Sequence, residues 1–124
     1  MAPVPPATAT RVAILADDLI WATRLGDSVR AAGGLPVRVR TLAALSETDV
    51  RFVVIDLTAR AYDGVEAVRA AAGAGARVLA VGQHDDIVLR KAALAAGAEK
   101  VLAYRKLFED GPAVLGTWLE TTKR

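Results

Sequence analysis

The sequence contains no cysteine and only one histidine, His84. Without cysteine the chain has no disulfide scaffold, no thiolate zinc site and no cysteine nucleophile. A single histidine argues against a histidine-based metal site and against a Ser/His/Asp triad. No apolar stretch approaches the roughly 18 residues of a membrane span. The net charge of +2, with arginines spread along the chain, argues against a nucleic-acid partner.

The composition is that of one globular domain. The chain has 124 residues, of which 53% are hydrophobic and 24% charged, enough for a full core. Residues 1–10 hold three prolines and are expected to be a disordered lead-in to a domain at 11–124. The first residues show neither the basic nor the apolar region of a signal peptide, so the cytoplasm is the expected location.

Short apolar runs alternate with helical patterns along the whole domain. Strands are expected at 11–16, 35–40, 51–56, 77–81 and 100–104. Helices are expected at 20–32, within 41–46, at 64–72, from a cap at Asp85 or Asp86 to 96, and at 112–122. This alternation predicts a flavodoxin-like (βα)5 three-layer α/β sandwich whose parallel sheet has the order 2-1-3-4-5.

Three carboxylates follow two of these strands. Asp17 and Asp18 come directly after the first strand, and Asp56 ends the third. Carboxyl ends of parallel strands share one edge, so the three should be close, and their mutual repulsion would be relieved by a hard cation such as Mg2+. An aspartate beside such an ion can act as a covalent nucleophile toward phosphate. The simpler alternative is that Asp17 or Asp18 caps the first helix.

The order of these residues resembles the response-regulator receiver domain of two-component signalling, over about residues 11 to 122. The resemblance rests on Asp17-Asp18, Gly34, Asp56, Asp63-Gly64 and Gly97-Ala98-Glu99-Lys100. It implies that Asp56 is the phospho-acceptor. It also implies a Mg2+ site in which Asp18 binds directly, Asp17 mostly through water, and Thr58 through its backbone carbonyl, beside Asp56.

The sequence departs from this family at the two switch positions. Gly82 stands where receivers carry a Ser or Thr hydroxyl, and Tyr104 stands where they carry a lysine. A phenol is neutral at pH 7 and cannot replace that positive charge. The family's Met-Pro pair is replaced by Ala59-Arg60.

Four other residues are candidate substitutes for the missing groups. They are Arg60, Arg105, Lys106, which shares strand parity with Tyr104 if the fifth strand continues, and His84. For each of them the alternative interpretation is an exposed side chain with no part in the site.

Three functional hypotheses follow. The first is a non-enzymatic pseudo-receiver that binds partners or dimerises without phosphorylation. The second is a working Mg2+-dependent phospho-receiver with a substitute basic residue. The third is a flavodoxin-like ligand-binding module, although no D-x-H-x-x-G run for cobalamin and no Ser/Thr-rich phosphate loop for flavin is present.

The resemblance also implies partners for the chain. They are a histidine kinase or phosphotransfer protein, a downstream signalling protein, and a second copy of the chain. The expected surface comprises the fourth helix, fifth strand and fifth helix, near Tyr104, Arg105 and Phe108, and the alternative interpretation of Phe108 is ordinary core packing. Neither nucleic acid nor a membrane is an expected partner.

Overall fold

The computed structural model describes residues 10–120. Most of the predicted lead-in, residues 1–9, and the end of the last predicted helix, residues 121–122, lie outside that range. Ten elements alternate along the chain: β1 (Arg11–Leu15), α1 (Leu19–Ala31), β2 (Leu35–Val39), α2 (Leu42–Glu47), β3 (Phe52–Asp56), α3 (Gly64–Gly73), β4 (Arg77–Gly82), α4 (Ile87–Ala96), β5 (Lys100–Ala103) and α5 (Tyr104–Glu120).

The five strands form one parallel sheet in the order β2-β1-β3-β4-β5, which confirms the predicted topology. In the central register Ile14 of β1 lies opposite Val54 of β3, and Val54 opposite Leu79 of β4. The sheet is covered on both faces. Val53 and Ile55 pack with α2, α3 and α4 residues on one face, and Phe52 and Val54 with α1 and α5 residues on the other. Burial on both faces explains why these strands are unbroken apolar runs.

The helix ends follow the expected local chemistry. Asp18, Asp63 and Asp86 cap α1, α3 and α4 by accepting a hydrogen bond from a backbone N–H in the first turn. The cap of α4 is therefore Asp86 rather than Asp85. Gly97 ends α4 with φ of 122°, a conformation that favours glycine.

The start of the last helix was predicted wrongly. Strand β5 ends at Ala103, and α5 begins at Tyr104 instead of Pro112. Its first part carries ion pairs of Arg105 with Glu109 and of Lys106 with Asp110, both at helical i,i+4 spacing. The backbone leaves the helical region at Asp110, just before Pro112, because proline cannot take part in a regular helix interior.

Phe108 lies on the first part of α5 and is 71% exposed, so the core-packing interpretation of this residue is wrong. Trp118 fills that role on the second part of α5, where it is 1% exposed and packs edge-on against Phe52. Within residues 10–120 no helix is long and apolar enough to cross a membrane.

Candidate functional site

A cleft of about 660 Å3 opens at the carboxyl edge of the sheet. The ends of β1, β3 and β4 and the first residue of α5 surround it. All three predicted carboxylates line it, together with Thr58 and Tyr104. The structure therefore brings together most of the predicted site, and its remaining lining residues are Trp21, Arg60 and Gln83.

Asp56 is the central residue of the cleft. It is 2% exposed and is the one charged side chain that is buried in the described part of the chain. Its Oδ1 atom accepts hydrogen bonds from the Thr58 amide at 3.1 Å, from the Thr58 hydroxyl at 3.0 Å and from the Tyr104 hydroxyl. The Thr58 and Tyr104 hydroxyls also lie within hydrogen-bond distance of each other. One carboxylate oxygen is thus held by three donors, and Oδ2 is bonded by none of the described residues.

Tyr104 reaches Asp56 because the chain turns from β5 directly into α5. The phenol ring lies against the Trp21 ring of α1, with ring centroids 4.3 Å apart. Burial raises the pKa of Tyr104 above its ordinary value, and the hydrogen bond to Asp56 and the charges of Asp56 and Asp18 raise it further. The phenol is therefore a neutral hydrogen-bond donor to Asp56 at every physiological pH.

Asp17 and Asp18 each use one oxygen on backbone N–H groups. Asp17 Oδ2 accepts from the amides of Arg60 and Ala61, both at 2.9 Å, and so fixes the loop after β3. Asp18 Oδ1 accepts from the Trp21 amide at 3.0 Å. The helix-cap alternative is thus confirmed for Asp18, whereas Asp17 holds a loop from another element.

The three carboxylates provide the hard oxygen ligands that Mg2+ prefers. Yet among residues 10–120 no group of three or more carboxylate, histidine or cysteine side chains is arranged to hold a metal ion. One oxygen of Asp17 and one of Asp18 accept from backbone amides, and one oxygen of Asp56 accepts from Tyr104 and Thr58. A magnesium site at Asp17, Asp18, Asp56 and the Thr58 carbonyl stays a prediction, since Mg2+ can bind through two carboxylates and water.

Gly82 ends β4, beside Ala103 of β5, and is buried. It brings no hydroxyl to the cleft. A Cβ atom there would lie 3.4 Å from Leu57 Cδ1 and 4.0 Å from Leu89 Cδ2, which are flexible side-chain atoms. The position therefore has room for a small side chain that the sequence does not supply.

Arg60 is the one basic residue among the described residues that line the cleft, and its side chain makes no ion pair with them. Arg105 and Lys106 lie on the exposed surface of α5 and pair with Glu109 and Asp110. The strand parity proposed for Lys106 is wrong, because the chain is helical from Tyr104 onward. His84 is exposed in the loop after β4 and does not line the cleft.

Sequence reasoning missed Tyr62. Its hydroxyl points to two carbonyl oxygens, Leu15 O at 2.8 Å and Asp56 O at 2.7 Å, and so ties the ends of β1 and β3 together below the cleft. Burial raises the pKa of Tyr62, as do the charges of Asp56 and Asp17. The available signal was an aromatic residue in the loop of residues 57–63, directly after Asp56.

No protein-family model and no curated protein matches the chain. Solved structures do match it, and several are response-regulator receiver domains. The BeF3-activated receiver domain of DrrB superposes with a TM-score of 0.78 at 19% identity, over 91% of this chain and 99% of that one. A CheY-like receiver domain protein from Methanospirillum hungatei gives 0.71 at 17% identity, over 92% of this chain and 99% of that one.

A third match is a response regulator from Burkholderia pseudomallei with a phosphorylated aspartic acid, a calcium ion and citrate. Its TM-score is 0.71 at 17% identity, over 90% of this chain and 71% of that chain. At identities this low the shared property is the fold. The fold of this chain is that of receiver domains.

Proposed function

We propose that this chain is an atypical receiver module that acts by binding other proteins, and that phosphorylation of Asp56 is weak or absent. The observation that carries the proposal is the hydrogen bond from the neutral Tyr104 phenol to Asp56 Oδ1, at the position where the resemblance places a lysine. The buried carboxylate already has its donors within the chain. The hydrogen bonds of Asp56 Oδ1 therefore form without a phosphoryl group.

The charge balance of the cleft supports weak phosphotransfer. Phosphoryl transfer is catalysed by positioning and by positive charge near the developing negative charge. Here the donor beside Asp56 is an uncharged phenol whose pKa burial and Asp56 raise, so it stays protonated. In enzymes where one oriented donor was removed, the barrier rose by about 2.7 to 4 kcal/mol.

The absence of a side chain at Gly82 supports the proposal that the chain does not switch conformation on phosphorylation. A conformational switch requires a group that makes different contacts in two states. The end of β4 offers only a backbone with no side chain at Gly82, while Thr58 is already engaged with Asp56 and Tyr104. The expected rearrangement toward a phosphoryl group therefore lacks its donor.

The receiver fold suggests the partners of the module. We infer a histidine kinase or phosphotransfer protein on the input side, and a downstream signalling protein or a second copy on α4, β5 and α5. On α4 the apolar side chains of Ile87, Val88 and Leu94 are 59%, 81% and 44% exposed. Such side chains suit a protein contact better than a catalytic role, and we propose that the chain is not an enzyme.

Beryllofluoride with magnesium tests the proposal, since it mimics an acyl phosphate on a competent aspartate. We expect no saturable NMR shifts around Asp56 in the natural chain at millimolar magnesium. The double variant Tyr104→Lys/Gly82→Ser restores the charge and the hydroxyl, and it should gain shifts that disappear when Asp56→Asn is added. Phe108→Lys, which adds the same charge on an exposed position, should gain none.

Saturable shifts in the natural chain would instead favour the working phospho-receiver. One observation supports this alternative. Arg60 lines the cleft and its guanidinium has no ion pair among the described residues, so it could supply the missing charge. Saturable shifts in the natural chain that vanish in both Asp56→Asn and Arg60→Gln would establish that alternative and overturn our proposal.

A further inference from the structure

A second cavity lies at the opposite edge of the sheet, under the amino end of β3. Its volume is about 450 Å3, within the range of small-molecule sites. Val50 and Arg51, which precede β3, line it, whereas Asp56 ends the same strand. The cavity is therefore separate from the carboxylate cleft.

The cavity exists because the elements around it are short or carry small side chains. One wall is α2, which has only six residues and contributes Leu42 and Leu45. The facing wall is the end of α3 and the turn after it, where Ala70, Ala71 and Ala74 line the space. Alanines opposite a helix of fewer than two turns leave a gap that larger side chains would fill.

The bottom of the cavity is apolar and well packed. Leu45, Val50, Val53 and Ala71 line it and are between 1% and 7% exposed. These residues belong to the core cluster on this face of the sheet. An apolar group that entered the cavity would therefore leave water and contact a fixed surface.

Among the polar side chains at the opening of the cavity, one charged group has no ion-pair partner in the described part of the chain. Asp49 pairs with Arg11 at 2.5 Å, so its carboxylate is already compensated. Thr48 and Ser46 bond to the backbone of their own turn. Arg51 is exposed, and its guanidinium has no ion pair or hydrogen bond among residues 10–120. A guanidinium binds a carboxylate well because it offers paired donors.

We infer that this cavity binds a small amphiphile with one carboxylate, its apolar body between α2 and α3 and its carboxylate on Arg51. The apolar floor and the single unmatched cation match such a ligand in both polarity and charge. The inference does not depend on the function proposed for Asp56.

Decanoate, used below its micelle-forming concentration, is the probe, and isothermal titration calorimetry of the full chain is the measurement. We expect saturable binding with one ligand per chain. Arg51→Gln should weaken binding about tenfold, since a hydrogen bond to a charged partner is lost. Ala70→Leu places a larger side chain at the mouth on an exposed helical position, so it should abolish binding in a folded protein.

Three controls isolate the site. Arg90→Gln removes another exposed arginine, on α4, and should leave binding unchanged. Asp56→Asn should also leave it unchanged, because the two cavities are at opposite edges. Decanol, which has the same chain but no carboxylate, should bind about tenfold more weakly than decanoate. Absence of saturable binding, or equal binding by the natural chain and Arg51→Gln, would overturn the inference.

Discussion

Tyr104 determines the chemistry of the cleft through a single hydroxyl. It donates to Asp56 Oδ1, lies within hydrogen-bond distance of Thr58, and its ring packs on Trp21. A lysine in this position would bring a positive charge to the carboxylate. The phenol brings only a hydrogen bond, so it fixes the orientation of Asp56 without neutralising its charge.

The two tyrosines of the chain provide a direct test at the residue scale. Tyr62 and Tyr104 are the only tyrosines, and burial and the charge of Asp56 raise the pKa of both. We therefore expect the ultraviolet absorbance of tyrosinate to appear only well above the ordinary pKa of about 10. Asp56→Asn should move the titration to lower pH, because it removes the negative charge that helps to raise the pKa of both tyrosines.

The same shifts set the sign of the alkaline stability change. Above pH 10 the unfolded chain loses both phenolic protons while the folded chain keeps them. The free energy of unfolding should therefore decrease as pH rises above 10. Tyr104→Phe should show a smaller decrease, measured by urea unfolding at several pH values. A tyrosinate titration centred near 10 in the folded protein would contradict the burial of both phenols beside Asp56.

Among the helices and strands, α3 packs closely against Leu57 because its first residue, Gly64, has no side chain. A Cβ atom on Gly64 would lie 2.6 Å from the Leu57 carbonyl oxygen and 2.7 Å from Leu57 Cα, which are backbone atoms and cannot rotate away. The glycine that contributed to the sequence resemblance thus has a packing reason. It lets the first turn of α3 approach the strand that ends in Asp56.

Gly64→Ala should lower the free energy of unfolding by about 1 to 3 kcal/mol, because the added methyl overpacks this contact. Gly116 is the matched control. It lies inside α5 and a Cβ atom there would meet nothing within 4 Å, so Gly116→Ala should stabilise the protein by about 0.5 to 1 kcal/mol. Urea unfolding measures both. Equal effects of the two substitutions would show that α3 and Leu57 are not in close contact.

The cap of α1 separates the structural and the metal-binding roles of Asp18. Asp18→Ala removes the hydrogen bond to the Trp21 amide and should cost about 1 kcal/mol of stability. Asp18→Asn keeps a good cap and removes the charge, so its stability should match the natural chain. If Mg2+ binds in the cleft, calorimetry should show that both variants lose it. If Asp18→Asn lowered the free energy of unfolding as much as Asp18→Ala, the charge of Asp18 and not its hydrogen bond would be what stabilises α1.

At the scale of the whole molecule, the predicted self-association through α4, β5 and α5 can be tested on one residue. Val88 is 81% exposed on α4, so Val88→Lys should leave the free energy of unfolding within about 0.5 kcal/mol of the natural value. If two copies associate through this face, sedimentation velocity should show a dimer in the natural chain and a monomer in Val88→Lys.

Ile20→Lys is the control for that experiment. Ile20 is 65% exposed and lies on α1, away from α4. It should not change the oligomeric state. A natural chain that remains monomeric at high concentration would show the homodimer prediction to be wrong and would leave a different protein as the partner of this face.

The topology and the three carboxylates of the cleft were predictable from the pattern of residues alone. Continuous apolar strands such as Phe52–Asp56 can be stable only when both faces are covered, and their alternation with helices allows few arrangements. The same local logic located Gly97 as the end of α4 and placed Asp17, Asp18 and Asp56 at one edge. These features depend on residues that are close together in the sequence or that lie at strand ends. The pattern of apolar and polar residues is enough to predict both.

The partners of Asp17 and Asp56 were not predictable from the sequence, because they depend on how distant elements pack. Asp17 accepts hydrogen bonds from the amides of Arg60 and Ala61, which lie far away in the sequence. Asp56 likewise accepts one from Tyr104, whereas the cap that Asp18 forms is local to α1. The start of α5 at Tyr104 was also not predictable from the local pattern, because residues 104–108 suit either a strand or a helix. Tyr104 contacts Trp21 and Asp56, which lie on elements distant in the sequence. Long-range packing therefore determines the contacts of the site, while local patterns predict the strands and helices on which it lies.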